Sequence, residues 1–317
     1  MSYPVLNQMH IKKDLGLDQA KALFKNSVRF IEIETFSYCN RRCWYCPNSI
    51  INRFDDNTFL DEKIYRQILT DLSSIEYDGE ISFSRYNEPL SDRRILDHLR
   101  LAKTMTNAKL RMHTNGDYLT PLYLQDLYDA GLRAIYVQVY LNGPSKTVAW
   151  KESQAKKQIA LTMGRIGVEC KYDWGKPNVI HTYRGSFNDM DVIIECKNFS
   201  MMGVDRGGLM PIRNVRPRSA PCFFPVHSLY VDYNGAMVPC CNIRSDATEH
   251  EGCVLYELTG ETDELFRAYV SDKFAEWRSR LLNFNPKEGV CRTCRTLEHQ
   301  RTPALEIALQ SLTATYE

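Results

Sequence analysis

From Phe30 onward, short apolar runs alternate with longer stretches in which apolar side chains recur every three or four positions, a pattern that predicts strands followed by helices. FIEIETF (30–36) reads as the first strand. In DEKIYRQILTDL (61–72), Ile64, Ile68 and Leu72 fall on one helical stripe, and Asp61 stands where a cap belongs. EISFS (80–84) predicts a second strand, Ile95, Leu96 and Leu99 mark the next helix, and LRMHT (110–114) predicts a third strand. Thr120 and Pro121 have the order of a cap and a first-turn proline, and Gly131 closes that helix. AIYVQVYL (134–141) is almost continuously apolar, as a parallel strand buried on both faces should be. The pattern weakens between Asn142 and Asp189, although VECKYDW (168–174) and DVIIEC (191–196) still read as strands. About six strand–helix units result, an α/β architecture of the partial (β/α)6 TIM-like kind. After Pro217 the character changes: SLYVDYNGAMVP (228–239) carries alternating strands around Asn234 and Gly235, a hairpin signal, and a cysteine-rich stretch ends in a helix near 302–313.

Composition narrows the function classes. A formal charge of +1 over 317 residues gives no global electrostatic reason to expect nucleic acid or an anionic membrane as partner. The first residues lack an apolar core of signal-peptide length, and no stretch reaches the length of a membrane span, so a cytoplasmic protein is expected. Eleven cysteines are many for that compartment unless several bind metal. They are unevenly spread. Cys39, Cys43 and Cys46 form one cluster; Cys222, Cys240, Cys241, Cys253, Cys291 and Cys294 crowd the last third; Cys170 and Cys196 lie alone.

The first cluster sits in YCNRRCWYCPNS (38–49). Three thiolates can anchor a [4Fe-4S] cube and leave one iron without a protein ligand, whereas electron-transfer clusters have all four irons tied down. A zinc loop borrowing a distant fourth ligand is the plainer alternative. The spacing Cys-x3-Cys-x2-Cys after a first barrel strand, with an aromatic directly before the third cysteine, resembles the radical S-adenosylmethionine (radical SAM) superfamily. That resemblance implies that SAM chelates the open iron and that reduction yields a 5′-deoxyadenosyl radical. It also implies cofactor contacts at Tyr45 and in RYNEP (85–89), where Tyr86 and Asn87 replace the glycines of the family's GGEP-like motif and Glu88 is kept. Asn115 in HTNGD resembles a ribose-side contact, and Gln138 is a weaker candidate of the same kind. Glu88 as a surface carboxylate, and the two amides as satisfied core groups, are the alternatives.

Cys222, Cys240, Cys291 and Cys294 resemble the ligand layout of the twitch/SPASM module, which holds an auxiliary [4Fe-4S] cluster; a four-cysteine zinc knuckle fits the pair spacing equally well. The resemblance implies two [4Fe-4S] clusters plus SAM, and a division into an N-terminal extension (1–28), a radical SAM partial barrel (29–215) and an auxiliary-cluster domain (216–317). CNRRCWYCPNS, EISF, YNEPL, TNGDYL and DRGGLM, spread over about 30–296, are similar to radical SAM alcohol dehydrogenases of antibiotic biosynthesis. They imply hydrogen abstraction from a hydroxyl-bearing carbon of a small sugar or aminocyclitol and oxidation to a ketone, with Arg206 of DRGG near the substrate hydroxyl and the auxiliary cluster as electron acceptor. A low-potential donor such as flavodoxin or ferredoxin is the implied partner. The alternatives are a sugar or peptide epimerase with Cys241 as hydrogen-atom donor, a peptide-modifying maturase, and a non-catalytic zinc or iron–sulfur protein. Cys170, Cys196, Cys241 and Cys253 are surplus to ligation, and buried inert thiols are the default reading of all four. The longer 142–190 region is expected to shape the substrate mouth.

Overall fold

The computed structural model describes residues 6–55, 57–141, 150–212 and 216–312. In chain order the elements are α1 (Leu17–Ser27), β1 (Phe30–Ile33), α2 (Glu62–Ser74), β2 (Glu80–Ser82), α3 (Ile95–Met105), β3 (Lys109–Thr114), α4 (Pro121–Asp129), β4 (Ala134–Val139) and α5 (Glu152–Ile166). They continue with β5 (Cys170–Lys176), β6 (Ile180–Phe187), β7 (Met190–Lys197), α6 (Phe199–Met202), α7 (Phe224–His227), β8 (Ser228–Val231), β9 (Ala236–Val238), β10 (Tyr256–Glu257), α8 (Glu264–Tyr269), α9 (Asp272–Leu281) and α10 (Pro303–Gln310). The chain divides into two compact units, one made of Ile33–Phe59 and Glu80–Gly203, the other of Met1–Glu32, Leu60–Gly79 and Val204–Glu317.

In the first, the barrel unit, the strand order is β2-β3-β4-β7-β6-β5. β2, β3, β4 and β7 pair in parallel, with α3 and α4 as the crossovers from β2 to β3 and from β3 to β4. The segment 168–174, read as another barrel strand, is β5, and it runs antiparallel to β6 on the edge of the sheet; β6 in turn is antiparallel to β7. β6 escaped the sequence pattern because its buried half, Ile180, His181 and Thr182, is mostly polar. α5 was also missed, although Ala155, Ile159, Thr162 and Ile166 are buried at helical spacing and Gly167 ends the helix with φ +70°. Thr120 caps α4 as read: its hydroxyl accepts from the Tyr123 amide, with Pro121 following. Residues 142–149, part of the stretch expected to shape a substrate mouth, lie outside the described residues.

In the C-terminal unit the order is β10-β9-β8-β1. β8 and β9 form the expected hairpin, and Gly235 turns it at φ +81°, where a Cβ would meet the Ile64 side chain at 2.9 Å. Asp61 caps α2 by accepting from the Lys63 amide. The N-terminal residues pack into this unit's core: Leu6 joins Phe223, Val226, Leu282, Leu305 and Leu312, while Phe24 of α1 sets its ring edge-on against Phe266 and Tyr269. Among the described residues no helix is long and apolar enough to cross a membrane.

Candidate active site

The first cysteine loop follows β1 and is braced by a pair that carries no local sequence signature. Arg53 and Glu34 are both almost fully buried, and the Arg53 guanidinium donates to Glu34 Oε1 at 3.2 Å and to the Ser37 carbonyl at 2.9 Å. The Cys39 amide donates back to the Arg53 carbonyl at 3.2 Å. The same Glu34 Oε1 accepts from the Tyr86 amide at 2.9 Å, the Asn48 side chain donates to the Tyr86 carbonyl at 2.7 Å, and the Glu88 amide donates to the Tyr38 carbonyl at 2.9 Å. Backbone of YNEP is therefore stitched to the cysteine loop at three points. Within the loop the Cys46 amide donates to the Cys43 carbonyl at 2.9 Å, a tight turn that sets the two sulfurs on neighbouring positions.

Glu88 is buried, and its carboxylate accepts from the Leu90 amide (3.1 Å), the Thr114 hydroxyl (2.6 Å) and the Asn115 amide (2.7 Å). Burial pushes its pKa up to about 7 against those three hydrogen bonds. A carboxylate has roughly four acceptor positions. One, on Oε2, is left for a cation. Asn87, beside it, keeps Oδ1 for the Arg85 amide, while its Nδ2 is buried with no hydrogen-bond partner among the described residues. A buried donor without an acceptor costs about 1–3 kcal/mol.

Asn115 lies next to this node but spends its side chain inside the protein: Oδ1 accepts from the Asp117 amide and Nδ2 donates to Asn40 at 2.7 Å. Asp117 closes the network by accepting from Asn40 and from Nε and Nη2 of Arg41. Two motifs far apart in sequence, CNRR and TNGD, are joined by these bonds. Gln138 donates to the Val139 and Glu195 carbonyls at 3.2 and 3.0 Å, the arrangement of a core amide. Tyr45 is buried and stacks flat on Phe199, ring centroids 3.6 Å apart, with Tyr140 on the same stack at 5.8 Å.

The second cysteine set lies in the C-terminal unit. Arg218, 1% exposed, donates from Nε to the Ala220 carbonyl, from Nη1 to the carbonyls of Cys294 and Thr296, and from Nη2 to those of Pro221 and Leu297. It thereby clamps the strand of chain before Cys222 to the turn around Cys294. Nothing in the spacing of cysteines pointed to it. Asn242 donates to the Thr296 hydroxyl at 2.8 Å and approaches the Cys294 sulfur at 3.8 Å. Arg206 has φ +50° and directs Nη1 at the Cys241 carbonyl (3.3 Å) and Asn242 Oδ1 (3.1 Å). Gly207 follows at φ +66°, and a Cβ there would stand 2.6 Å from His250 Nε2, so the DRGG turn requires glycine at this position. Cys241 is partly exposed beside the apolar group of Tyr230, Val238, Ile243 and Cys253.

All eleven cysteines are free thiols. Burial pushes Cys39 and Cys291 up to about 12 and raises Cys43, Cys222 and Cys240 as well. Within each set the sulfurs lie near enough to raise one another, Cys39 with Cys43 and Cys46, and Cys240 with Cys222, Cys291 and Cys294. No three His, Cys, Asp or Glu side chains among the described residues converge as they would around a single ion. An iron–sulfur cube holds its thiolates at separate corners, and thiol-only donor sets are the kind such a cube takes.

Residues 33–159 match the model of the radical SAM superfamily. The chain carries a radical SAM domain. Over 282 residues the chain is 25% identical to the S-adenosyl-L-methionine-dependent 2-deoxy-scyllo-inosamine dehydrogenase of Niallia circulans, covering 85% of this chain and 94% of that protein. A GTP 3′,8-cyclase of Trichormus variabilis is 32% identical over 123 residues, 36% of this chain and 35% of that one. In structure the chain resembles BtrN in complex with AdoMet and 2-DOIA, with a TM-score of 0.59 and 22% identity over 85% of this chain and 94% of BtrN. The fold is that of the radical SAM partial barrel. The matched domain implies SAM and one [4Fe-4S] cluster as cofactors.

Proposed function

We propose that the protein oxidises a hydroxyl-bearing carbon of a small aminocyclitol or sugar to a ketone. The observation that carries this reading is the near end-to-end match to an aminocyclitol dehydrogenase, covering 85% of this chain and 94% of that protein. Cys39, Cys43 and Cys46 would hold the first cluster, with Glu88 Oε2 and the buried Asn87 Nδ2 turned to the amino-acid part of SAM. Cys222, Cys240, Cys291 and Cys294 would hold a second. When bound, these groups supply an adenosyl radical that takes the carbinol hydrogen and an acceptor for the remaining electron; the hydroxyl proton leaves to a base, which balances the conversion of alcohol to ketone. Four thiolates leave no iron open at the second site, which suits electron uptake over substrate chemistry. The chain's own contribution is to position: Arg218 fixes two segments that carry cluster ligands, and Glu34 with Arg53 fixes the loop that carries the others.

The test is anaerobic incubation of reconstituted protein with SAM, a reductant and 2-deoxy-scyllo-inosamine. One 5′-deoxyadenosine per ketone formed is the expected result, and a product of unchanged oxidation state carrying solvent deuterium at the reacting carbon would overturn it. In that event Cys241 is the first thiol to replace by alanine, because a thiol donor exchanges with solvent before returning its hydrogen to the substrate.

A further inference from the structure

On β3 the burial alternates: Leu110, Met112 and Thr114 are buried, and Lys109, Arg111 and His113 share the other face. His113 pairs in register with Tyr136 of β4, and the two rings stack with centroids 4.5 Å apart. Arg111 lies over the same Tyr136 ring at 4.5 Å, anchored by Glu80 at 2.7 Å, and its Nη2 approaches His113 Nε2 at 3.0 Å. A guanidinium has only hydrogens to offer and does not lose its proton, so Nε2 must be the acceptor of that bond. The imidazole is then neutral and carries its hydrogen on Nδ1. No described residue accepts from Nδ1, and His113 as a whole is half-buried. The His113 amide is held by the Ser84 hydroxyl at 2.8 Å, and the next two residues, Thr114 and Asn115, are the ones that grip Glu88. Burial, with the charges of Arg111 and Lys197, keeps the ring's pKa down at about 3, so protonation does not compete in the neutral range.

We infer that His113 is a substrate-binding residue whose Nδ1–H donates to an oxygen of the hydroxyl-bearing substrate. The inference rests on the function proposed above and adds a named donor to it. A neutral donor of fixed tautomer stabilises oxygen as the hydroxyl proton departs and negative charge gathers there. It is not the base: the Nε2 lone pair is already engaged by Arg111, and Nδ1 keeps its hydrogen throughout. Another group takes the proton.

Two substitutions separate the two nitrogens. His113→Gln places an amide near Nε2, where its oxygen accepts from Arg111, and leaves no donor at Nδ1. His113→Asn places its amide near Nδ1 and gives up the arginine contact. With 2-deoxy-scyllo-inosamine as probe, His113→Gln is expected to raise KM about tenfold, the worth of roughly one hydrogen bond, while His113→Asn stays within about threefold of wild type. Equal losses in the two variants, or wild-type KM in His113→Gln, would overturn the inference. A nitrogen-15 NMR spectrum of histidine-labelled wild-type protein reads the tautomer without turnover, and decides the matter if a variant fails to fold. An Nδ1–H ring whose Nδ1 signal moves on adding the probe supports the assignment; an Nε2–H ring, or an unmoved signal, sinks it. Should wild type make no substrate-dependent 5′-deoxyadenosine, the proposed function fails by that measurement, independently of the tautomer.

Discussion

The two cysteine groups solve the same problem with different means. Cys39, Cys43 and Cys46 lie within one short loop, so chain connectivity brings the thiols together and the fold has only to aim them. Cys222, Cys240, Cys291 and Cys294 come from three separated segments, and tertiary structure must gather them. The supports differ accordingly. A buried ion pair, Glu34 with Arg53, orients the first loop and reaches the Tyr86 amide. Arg218 ties the second set together mainly through backbone carbonyls, with Nη1 also 3.7 Å from the Cys294 sulfur. Thiol number differs too: in the function proposed above, three would leave an iron open for SAM and four would not.

The harshest way to break this comparison is to remove one side of it. After anaerobic reconstitution roughly eight irons per chain are expected from two cubes. Replacing Cys39, Cys43 and Cys46 together by alanine should remove half of them and abolish SAM cleavage, because the surviving cube has no open iron. Iron analysis and 5′-deoxyadenosine assay check both halves. Residual cleavage in the triple variant would refute the division of labour.

Removing the supports instead of the ligands sharpens it. Arg53→Met takes the guanidinium away from the buried Glu34 carboxylate, a loss of about 3–5 kcal/mol, and is expected to deplete the first cluster while sparing the second. Arg218→Met strands five carbonyls at about 1–3 kcal/mol each at most, and should deplete the second cluster while SAM cleavage survives. Loss of all iron in either variant would show that the two sites form together.

What the sequence disclosed follows the same divide. Spacing alone singled out the first loop, because its ligands are neighbours along the chain, and alternating strands and helices exposed the partial barrel. Arg53, Arg218 and the Asn40–Asn115 contact stayed hidden, since each joins residues between 16 and 79 positions apart by bonds that obey no period. β6 was hidden for a related reason: the buried polar pair His181 and Thr182 near its start breaks the apolar signal that strand recognition relies on. α1 was passed over because it precedes the family pattern, yet Phe24 is wholly buried.

Acid offers a milder probe of the second site's surroundings. His10 is buried, its Nδ1 accepts from the Asn7 amide, and the opposite nitrogen meets the Ser27 hydroxyl at 3.0 Å. Burial, then the Arg278 charge, lowers its pKa from 6.5 to about 4. The unfolded chain therefore takes up the proton first. His10's contribution is complete above pH 6.5 and is lost as pH falls toward 4, about 3 kcal/mol in all. Arg278 holds the His10, Pro225 and Tyr269 carbonyls, so this loss loosens the packing next to Cys222. Denaturant melts at pH 7 and 4.5 should differ less for His10→Gln than for wild type, and equal acid sensitivity would count against His10.

Glu88 is the finest probe, because its carboxylate serves the fold through three hydrogen bonds and keeps one acceptor position for the SAM ammonium of the function proposed above. Glu88→Gln keeps size and shape, removes the charge and leaves every cysteine in place, so iron content should not change. A charged hydrogen bond is worth about 1.5–3 kcal/mol, which translates into SAM binding weakened by about 10- to 100-fold. The pH dependence adds a second signature. With its pKa up near 7, Glu88 in the free protein is largely protonated below that value and ionised above it. Wild-type affinity for SAM should therefore rise between pH 6 and 8, since the ammonium binds the ionised form, while the Gln variant stays flat across that range. The sign is opposite for folding: a carboxyl whose folded pKa lies above the usual 4.5 stabilises the protein below that value and loses the contribution as pH rises through 7. Calorimetric titration with SAM at three pH values distinguishes the roles. Unchanged affinity and an unchanged slope in the variant would make Glu88 a structural brace alone, and the buried Asn87 Nδ2 would then be the side-chain group in YNEP left to meet the cofactor.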